Sequence, residues 1–172
     1  MAFKPAETFQ GVVDFTNIDA SANRVVTVGM IVRGIDTASG QGSGEFIYLP
    51  GVASLAVGSV VTYNPLKPSV TLAPHTGNLN SPLAVAMSAN ASPTSYGWFQ
   101  IAGVATISRI TGAKTSPSVP LYLSATAGSV QSVASAGKQI VNCVTVNAAT
   151  VASATTTIQA LINRPFAQGA IT

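Results

Sequence analysis

The run from Tyr96 to Ser108 alternates between two sets of side chains, and this pattern constrains the fold more than any other in the chain. A period of two residues is that of a β-strand, whereas an amphipathic helix repeats its apolar positions every three or four residues. The run therefore predicts one long strand. One face carries Phe99, Ile101, Gly103, Ala105 and Ile107, and the other carries Trp98, Gln100, Ala102, Val104 and Thr106.

The stretch that follows, Val119–Val133, has the pattern of a hairpin. Leu121 and Leu123 fall on one face of its first strand. The turn is Ala125-Thr-Ala-Gly128, in which Gly128 is free to take a positive φ. Nothing in either stretch is chemically reactive, so this part of the chain is predicted to be a scaffold.

Other short apolar runs are separated by turns rich in Gly, Pro and Asn, and none has helical spacing. We predict an all-β fold, a small antiparallel β-sandwich or barrel of about ten short strands with an extended N-terminal arm. The strand at 25–35 is apolar on both faces, which predicts burial on both sides. The remaining predicted strands are 45–49, 57–63, 70–72, 83–89, 139–146 and about 156–162.

The predicted organisation is an arm over 1–24, a β-domain over 25–166 and a tail over 167–172. A weak repeat divides the domain into two related hairpin units, about 57–103 and 117–163. Chance similarity among strands rich in Val, Ser and Ala is the alternative explanation. The clearest match, at an offset of 60 residues, is Val61-Thr-Tyr63…Val70-Thr-Leu72 with Leu121-Tyr-Leu123…Val130-Gln-Ser132.

Charged residues make up 8% of the chain, against about 25% in ordinary soluble domains. So few charges favour a surface covered by copies of the same chain or by a partner, although a Ser/Thr-coated extracellular β-protein would share the composition. The net charge of +3 comes from scattered Lys and Arg residues. Because they form no basic patch, we predict no nucleic-acid partner. No apolar run predicts a membrane span, and no signal peptide is predicted. The single cysteine, Cys143, allows no internal disulfide, so we expect synthesis in a reducing cytoplasm.

Several aromatic and cationic residues are candidates for an interface. Three phenylalanines lie in the N-terminal segment, where an arm would lay them on a neighbouring subunit; a first strand of the domain is the alternative. Trp98, on the long strand, is either a core or an interface residue. The candidate interface residues are Phe3, Phe9, Phe15, Arg24, Arg33 and Trp98.

The residues needed for catalysis or metal binding are scarce. The chain has one histidine, one cysteine and five acidic residues, and all five acids precede residue 46. His75 lies in a predicted turn, and Cys143 is predicted to be a buried thiol with no histidine to activate it. We therefore predict no enzymatic activity, no cofactor and no metal site.

The pattern of residues 83–163 resembles the capsid cement, or head decoration, proteins of tailed bacteriophages. In that family a W-x-Q-x-x-G-x-A strand precedes a G-x-V hairpin in a small β-domain. The resemblance covers about half of the chain, and residues 1–82 depart from the simplest members. The matching segments are Trp98-Phe-Gln-Ile-Ala-Gly103-Val-Ala, Leu121-Tyr-Leu-Ser-Ala-Thr-Ala-Gly128-Ser-Val130 and Leu161-Ile-Asn-Arg-Pro165.

The resemblance implies a structural virion protein on the outer capsid surface. Its expected partners are the major capsid protein and itself, as a homotrimer or alternatively a dimer, and the family has no catalytic residues. Its expected role is to stabilise contacts between capsid subunits. A tail or fibre component, or a carbohydrate-binding β-sandwich, is the alternative. A sugar site would need exposed aromatic rings, for which Trp98, Tyr48, Tyr63, Tyr96 and Tyr122 are available.

Overall fold

The computed structural model describes residues 3–5, 14–21, 24, 26–37, 41–66 and 69–170. Within these ranges the chain forms eleven β-strands and no helix. All pairings between the strands are antiparallel, which confirms the predicted all-β antiparallel class. The strands are β1 (Phe3–Pro5), β2 (Ile31–Asp36), β3 (Ser43–Pro50), β4 (Val60–Tyr63), β5 (Val70–Leu72), β6 (Leu83–Ala86), β7 (Tyr96–Ser108), β8 (Pro120–Leu123), β9 (Val130–Gln131), β10 (Gln139–Thr145) and β11 (Thr157–Ala167).

The strands belong to one sheet, whose main path runs β1-β2-β3-β7-β11-β10-β8-β9. β4, β5 and β6 form a branch, attached where β6 pairs with β7. An isolated parallel bridge joins Arg109, just after β7, to Val130 on β9. The amide of Ile110 also donates to the carbonyl of Val130 at 3.0 Å. The sheet therefore curls until its last strand meets its central one.

The central strand β7 has the bounds that its sequence predicts. The side chains of Phe99, Ile101, Ala105 and Ile107 are all at most 1% exposed, so this face of the strand lies in the core. Gly103, on the same face, has a φ of +96°, and a Cβ there would lie 2.5 Å from the carbonyl oxygen of Ser43. Only glycine fits this backbone conformation and this close approach.

A β-bulge interrupts β7 just before Gly103. The register against β3 shifts there, because Phe46 pairs with Gln100 while Glu45 pairs with Ala102. The side chain of Gln100 is fully buried, and its Nε2 donates to the carbonyls of Ala102 at 3.1 Å and Val104 at 3.0 Å. Gln100 thus pairs two carbonyls beside the bulge, where strand partners change from β3 and β6 to β11.

The same pairing pattern occurs twice in the sheet. The β4–β5 hairpin pairs through β4 with β6, which pairs with β7. The β8–β9 hairpin pairs through β8 with β10, which pairs with β11. Tyr63 opposite Val70 corresponds to Leu123 opposite Val130 at an offset of 60 residues. The two units meet along the β7–β11 pair.

Three clusters of buried apolar side chains hold the sheet together. The largest draws on both hairpin units, including Val60, Leu83, Ile107, Leu123, Ile140 and Ile162. The second packs β3 and β7 against the β4–β6 branch and includes Ile47, Leu49, Val61, Ala84 and Phe99. The third is aromatic and consists of Phe15, Val32, Phe46, Tyr48, Met87 and Trp98.

The strand predicted at 25–35 is wrong in both its start and its burial. β2 begins at Ile31, because the chain turns just before it. In that turn the Met30 amide donates to the Thr27 carbonyl at 3.0 Å, and Gly29 has a φ of +87°. Burial alternates strictly along β2, with Val32, Gly34 and Asp36 buried and the intervening residues exposed. Burial on both faces was predicted because Ile31 and Ile35 are apolar, but the structure exposes both side chains.

β11 extends beyond the predicted end near Ile162 and continues to Ala167. Pairing with β7 ends at Asn163, and Arg164 takes a φ of +48°. Beyond that point Phe166 pairs with Val141 on β10. Pro165, which has no amide hydrogen to donate, therefore lies where β11 has already left β7.

Parts of the N-terminal segment lie against the sheet. β1 pairs with β2, with Phe3 opposite Asp36. Asp19 forms an isolated bridge with Tyr96, and Phe15 is completely buried. The division into an arm over 1–24 and a tail over 167–172 stays a prediction.

Candidate interaction surface

Two of the six candidate interface residues lie in the aromatic cluster. The ring of Phe15 stacks on Phe46 at a centroid distance of 4.0 Å and meets Trp98 edge-on at 5.4 Å. Trp98 is 4% exposed. These rings therefore fasten residues 14–21 to the sheet, and neither offers a free ring face in this chain.

The other four candidates occupy separate places. Phe3 is in β1, and Phe9 lies outside the described residues. The guanidinium of Arg24 lies 4.5 Å from the centroid of the Tyr96 ring. Arg33 is on the exposed side of β2, with its Nε 3.7 Å from a carboxylate oxygen of Glu45. The structure brings Phe15, Trp98 and Arg24 into one neighbourhood, and Arg33 belongs to another.

A hydrogen bond between Asp19 and Tyr48 ties the N-terminal segment to β3. The Tyr48 hydroxyl donates to Asp19 Oδ2 at 2.6 Å, and Ser21 donates to Oδ1 of the same carboxylate. Hydrogen bonds from Ser21 and then from Tyr48 lower the pKa of Asp19. Burial and the bond to Asp19 raise the pKa of Tyr48. Both shifts favour an ionised acceptor and a protonated donor at neutral pH.

A row of apolar side chains crosses the outward side of four strands. The strand register places Pro120 opposite Val144, Val144 opposite Leu161, and Leu161 opposite Val104. Residues directly opposite each other on paired strands share a face of the sheet. Leu161 is 46% exposed, and we call Pro120, Val144, Leu161 and Val104 the outer apolar row.

Further apolar side chains extend this surface. Val141 and Phe166 are paired across β10 and β11, and they are 42% and 36% exposed. Val146, just after β10, is 38% exposed. The whole span 139–163 contains no charged residue. The side chains on a solvent-exposed face of a sheet are ordinarily polar, so this surface is unusually apolar.

A depression of about 420 Å³ lies beside the outer apolar row. The depression lies at a second bulge of the sheet. There the β10–β11 register shifts between Val141 and Cys143, and Asn142 has a φ of +58°. The residues lining it are Pro120, Gln139, Asn142, Cys143, Val144, Leu161 and Asn163.

A second depression, of about 300 Å³, is polar and adjoins the first through Asn163, which lines both. In it Arg164 Nη2 lies 3.0 Å from Glu45 Oε2, while Arg33 approaches the other oxygen of that carboxylate. Two cations thus share one anion. We call this site, lined also by Ser43, Gly44, Ala102 and Gly103, the arginine cleft.

The reactive side chains in the described part of the chain are not assembled for chemistry. Burial raises the pKa of the Cys143 thiol to about 12, so it is protonated at neutral pH. His75 is exposed, and its Nε2 lies 2.8 Å from Lys138 Nζ. Among the residues described, no three His, Cys, Asp or Glu side chains are grouped so as to hold a metal ion.

The described part of the chain contains no helix with the length and apolar character needed to cross a membrane.

Sequence reasoning missed the outer apolar row, and of the arginine cleft it named only Arg33. The alternation within 139–146 and 156–162 identified strands but did not show which apolar residues point outward. That assignment depends on the curl of the sheet and on the bulge at Asn142. The absence of charge over 139–163 was the available signal for this surface.

A scan against protein-family models found no match, and a search of curated proteins found none either.

Proposed function

We propose that the protein is a structural virion protein that binds the outer surface of a phage capsid and stabilises contacts between major capsid subunits. The observation that carries this proposal is the outer apolar row, a partly exposed and uncharged surface across β8, β10, β11 and β7. A role in assembly uses such a surface directly, because burying it against a partner is favourable without any chemical step.

The motif that resembles the capsid cement family supports the proposal through its structural role. Trp98 belongs to the aromatic cluster, Gln100 bonds the carbonyls beside the bulge, and Gly103 allows the close approach of β3. Gln100 and Gly103 lie at the bulge where β7 changes partners to β11, the strand that carries Leu161.

The sugar-binding alternative gains no support from the aromatic residues. Trp98 is 4% exposed and Tyr48 is 2% exposed, so neither ring is available as a stacking platform. The other three rings, Tyr63, Tyr96 and Tyr122, are half-buried and lie on three different strands, and the guanidinium of Arg24 covers Tyr96. The observations therefore favour attachment to a protein shell over recognition of a carbohydrate.

Co-sedimentation with empty shells of the major capsid protein from the same phage tests the proposal. We expect binding that saturates at a fixed ratio to the capsid subunit and a higher melting temperature of the decorated shell. Absence of binding would contradict shell attachment. Full occupancy with an unchanged shell melting temperature would contradict the stabilising role.

A further inference from the structure

The outer apolar row and the arginine cleft adjoin each other, although they differ in chemistry. Asn163 lines both depressions. On one side of it the side chain of Leu161 is 46% exposed, and on the other the side chain of Arg164 is 61% exposed. An apolar centre beside a polar, charged margin is the usual composition of a protein–protein interface.

The arginine cleft carries an excess of positive charge and unused hydrogen-bond donors. The Arg33 and Arg164 guanidinium groups face the single carboxylate of Glu45. Each guanidinium has five N–H donors in a planar arrangement suited to carboxylates. A second carboxylate, brought by a partner, would balance the two cations.

A second copy of this chain is poorly equipped to supply that carboxylate. The chain has only five acidic residues. Asp19 binds Tyr48, Asp36 is buried, Glu45 already lies in the cleft, and Asp14 accepts a hydrogen bond from the Thr16 amide. Glu7 lies outside the described residues. Charge complementarity therefore favours a different protein.

We infer that the outer apolar row and the arginine cleft form one docking surface for a different protein, which places an apolar side chain in the larger depression and a carboxylate against Arg33 and Arg164. This inference rests on the proposed function, since the capsid shell is the partner it names. It adds which surface of the chain faces the shell and which chemistry the shell presents there.

The apolar half is tested with two matched variants in the same shell-binding assay. Leu161→Ser removes an exposed apolar side chain from the docking surface, while Val57→Ser removes one that is 62% exposed in the loop before β4. We expect Leu161→Ser to weaken shell binding about tenfold, as for an interface residue of moderate importance. Val57→Ser is expected to bind as the unaltered protein does. Thermal unfolding of both variants checks that the fold is retained.

The charged half is tested with Arg164→Gln, using Lys114→Gln as a control that loses one exposed positive charge elsewhere. We expect Arg164→Gln to weaken shell binding severalfold and to reduce its dependence on salt, because a carboxylate–guanidinium contact is screened by ions. Lys114→Gln is expected to change neither.

The outcomes separate the two proposals. If the unaltered protein does not bind shells, the proposed function fails and so does the partner inferred here. If it binds and Leu161→Ser and Arg164→Gln bind equally well, the function stands and this docking surface is wrong. If these variants change the oligomeric state in light scattering but not shell binding, the surface holds a second copy, which also overturns the inference.

Discussion

At the scale of single residues, Asp19 and Tyr48 show how one hydrogen bond holds an otherwise polar segment in place. The Asp19 carboxylate accepts a hydrogen bond from the Tyr48 hydroxyl at 2.6 Å. In the same segment, 14–21, Phe15 packs in the aromatic cluster. A hydrogen bond to a charged group contributes more than a neutral one, although partial exposure of Asp19 reduces its worth to about 1 kcal/mol.

This contact predicts an acid-sensitive contribution to stability. The pKa of Asp19 is lowered in the folded protein, so its contribution to stability is fully present above the ordinary value of 3.8 and is lost as the pH falls through the lower folded value. Urea unfolding should show that Asp19→Asn costs about 1 kcal/mol at pH 7 and less at pH 2, because part of the contribution is lost as the carboxylate is protonated.

Asp14→Asn is the matched control, because asparagine can still accept the hydrogen bond from the Thr16 amide. We expect it to change the free energy of unfolding by less than about 0.5 kcal/mol. A loss in Asp19→Asn that is equally large at both pH values would contradict a role for the charge.

The bulge in β7 requires a glycine at position 103, and this requirement can be tested by substitution. Gly103 and Gly112 both have a positive φ, +96° and +109°, but a Cβ would collide with backbone only at Gly103. Gly112→Ala should cost about 1 kcal/mol for the backbone conformation alone, and Gly103→Ala about 3 kcal/mol or more. Urea unfolding compares them, and equal losses would mean that the close approach of Ser43 is unimportant.

At the scale of elements, the sequence predicts a strand best where the strand's own alternation or its flanking turns mark both ends. β7 and β5 have the predicted bounds, because period-two alternation or flanking turns delimit them. β2 and β11 differ because their ends depend on tertiary contacts. Val28 and Met30, on either side of Gly29, pack against the aromatic cluster, and at Arg164 β11 leaves β7 while it continues to pair with β10.

The candidate site was less predictable than the strands for a related reason. Which of Val141, Val144 and Leu161 faces outward depends on the register of three strands and on the bulge at Asn142. The pattern of a strand shows which side chains share a face. When both faces are apolar, it does not show which face is exposed.

The contact between β9 and the residues just after β7 can also be tested by substitution. Val130 is fully buried and its carbonyl accepts the Ile110 amide, whereas Val133, three residues later, is 58% exposed. Val130→Ala should lower the free energy of unfolding by about 2 kcal/mol, and Val133→Ala by less than about 0.5 kcal/mol. Similar effects in denaturant unfolding would mean that β9 contributes little to the core.

At the scale of the whole molecule, sparse charge and an exposed apolar surface are the features that support the proposed role in an assembly. The two hairpin units meet at β7 and β11, and the second unit carries most of the outer apolar row. The N-terminal segment adds to the other end of the sheet through β1 and the aromatic cluster.

The low charge predicts association of the free protein, with a trimer as the expected species and a dimer as the alternative. Light scattering behind a sizing column, over a range of protein concentrations, measures the mass directly. A discrete oligomer at all concentrations is the expected result. A stable monomer would remove the argument from sparse charge, and the proposal would then depend on the outer surface and the family resemblance.

The most direct test of the central claim is a cryo-electron microscopy reconstruction of empty phage shells saturated with this protein. The account predicts added density on the outer surface, contacting neighbouring capsid subunits, with β10 and β11 facing the shell. Shells without added density, or with density that touches only one subunit, would contradict a protein that stabilises contacts between subunits.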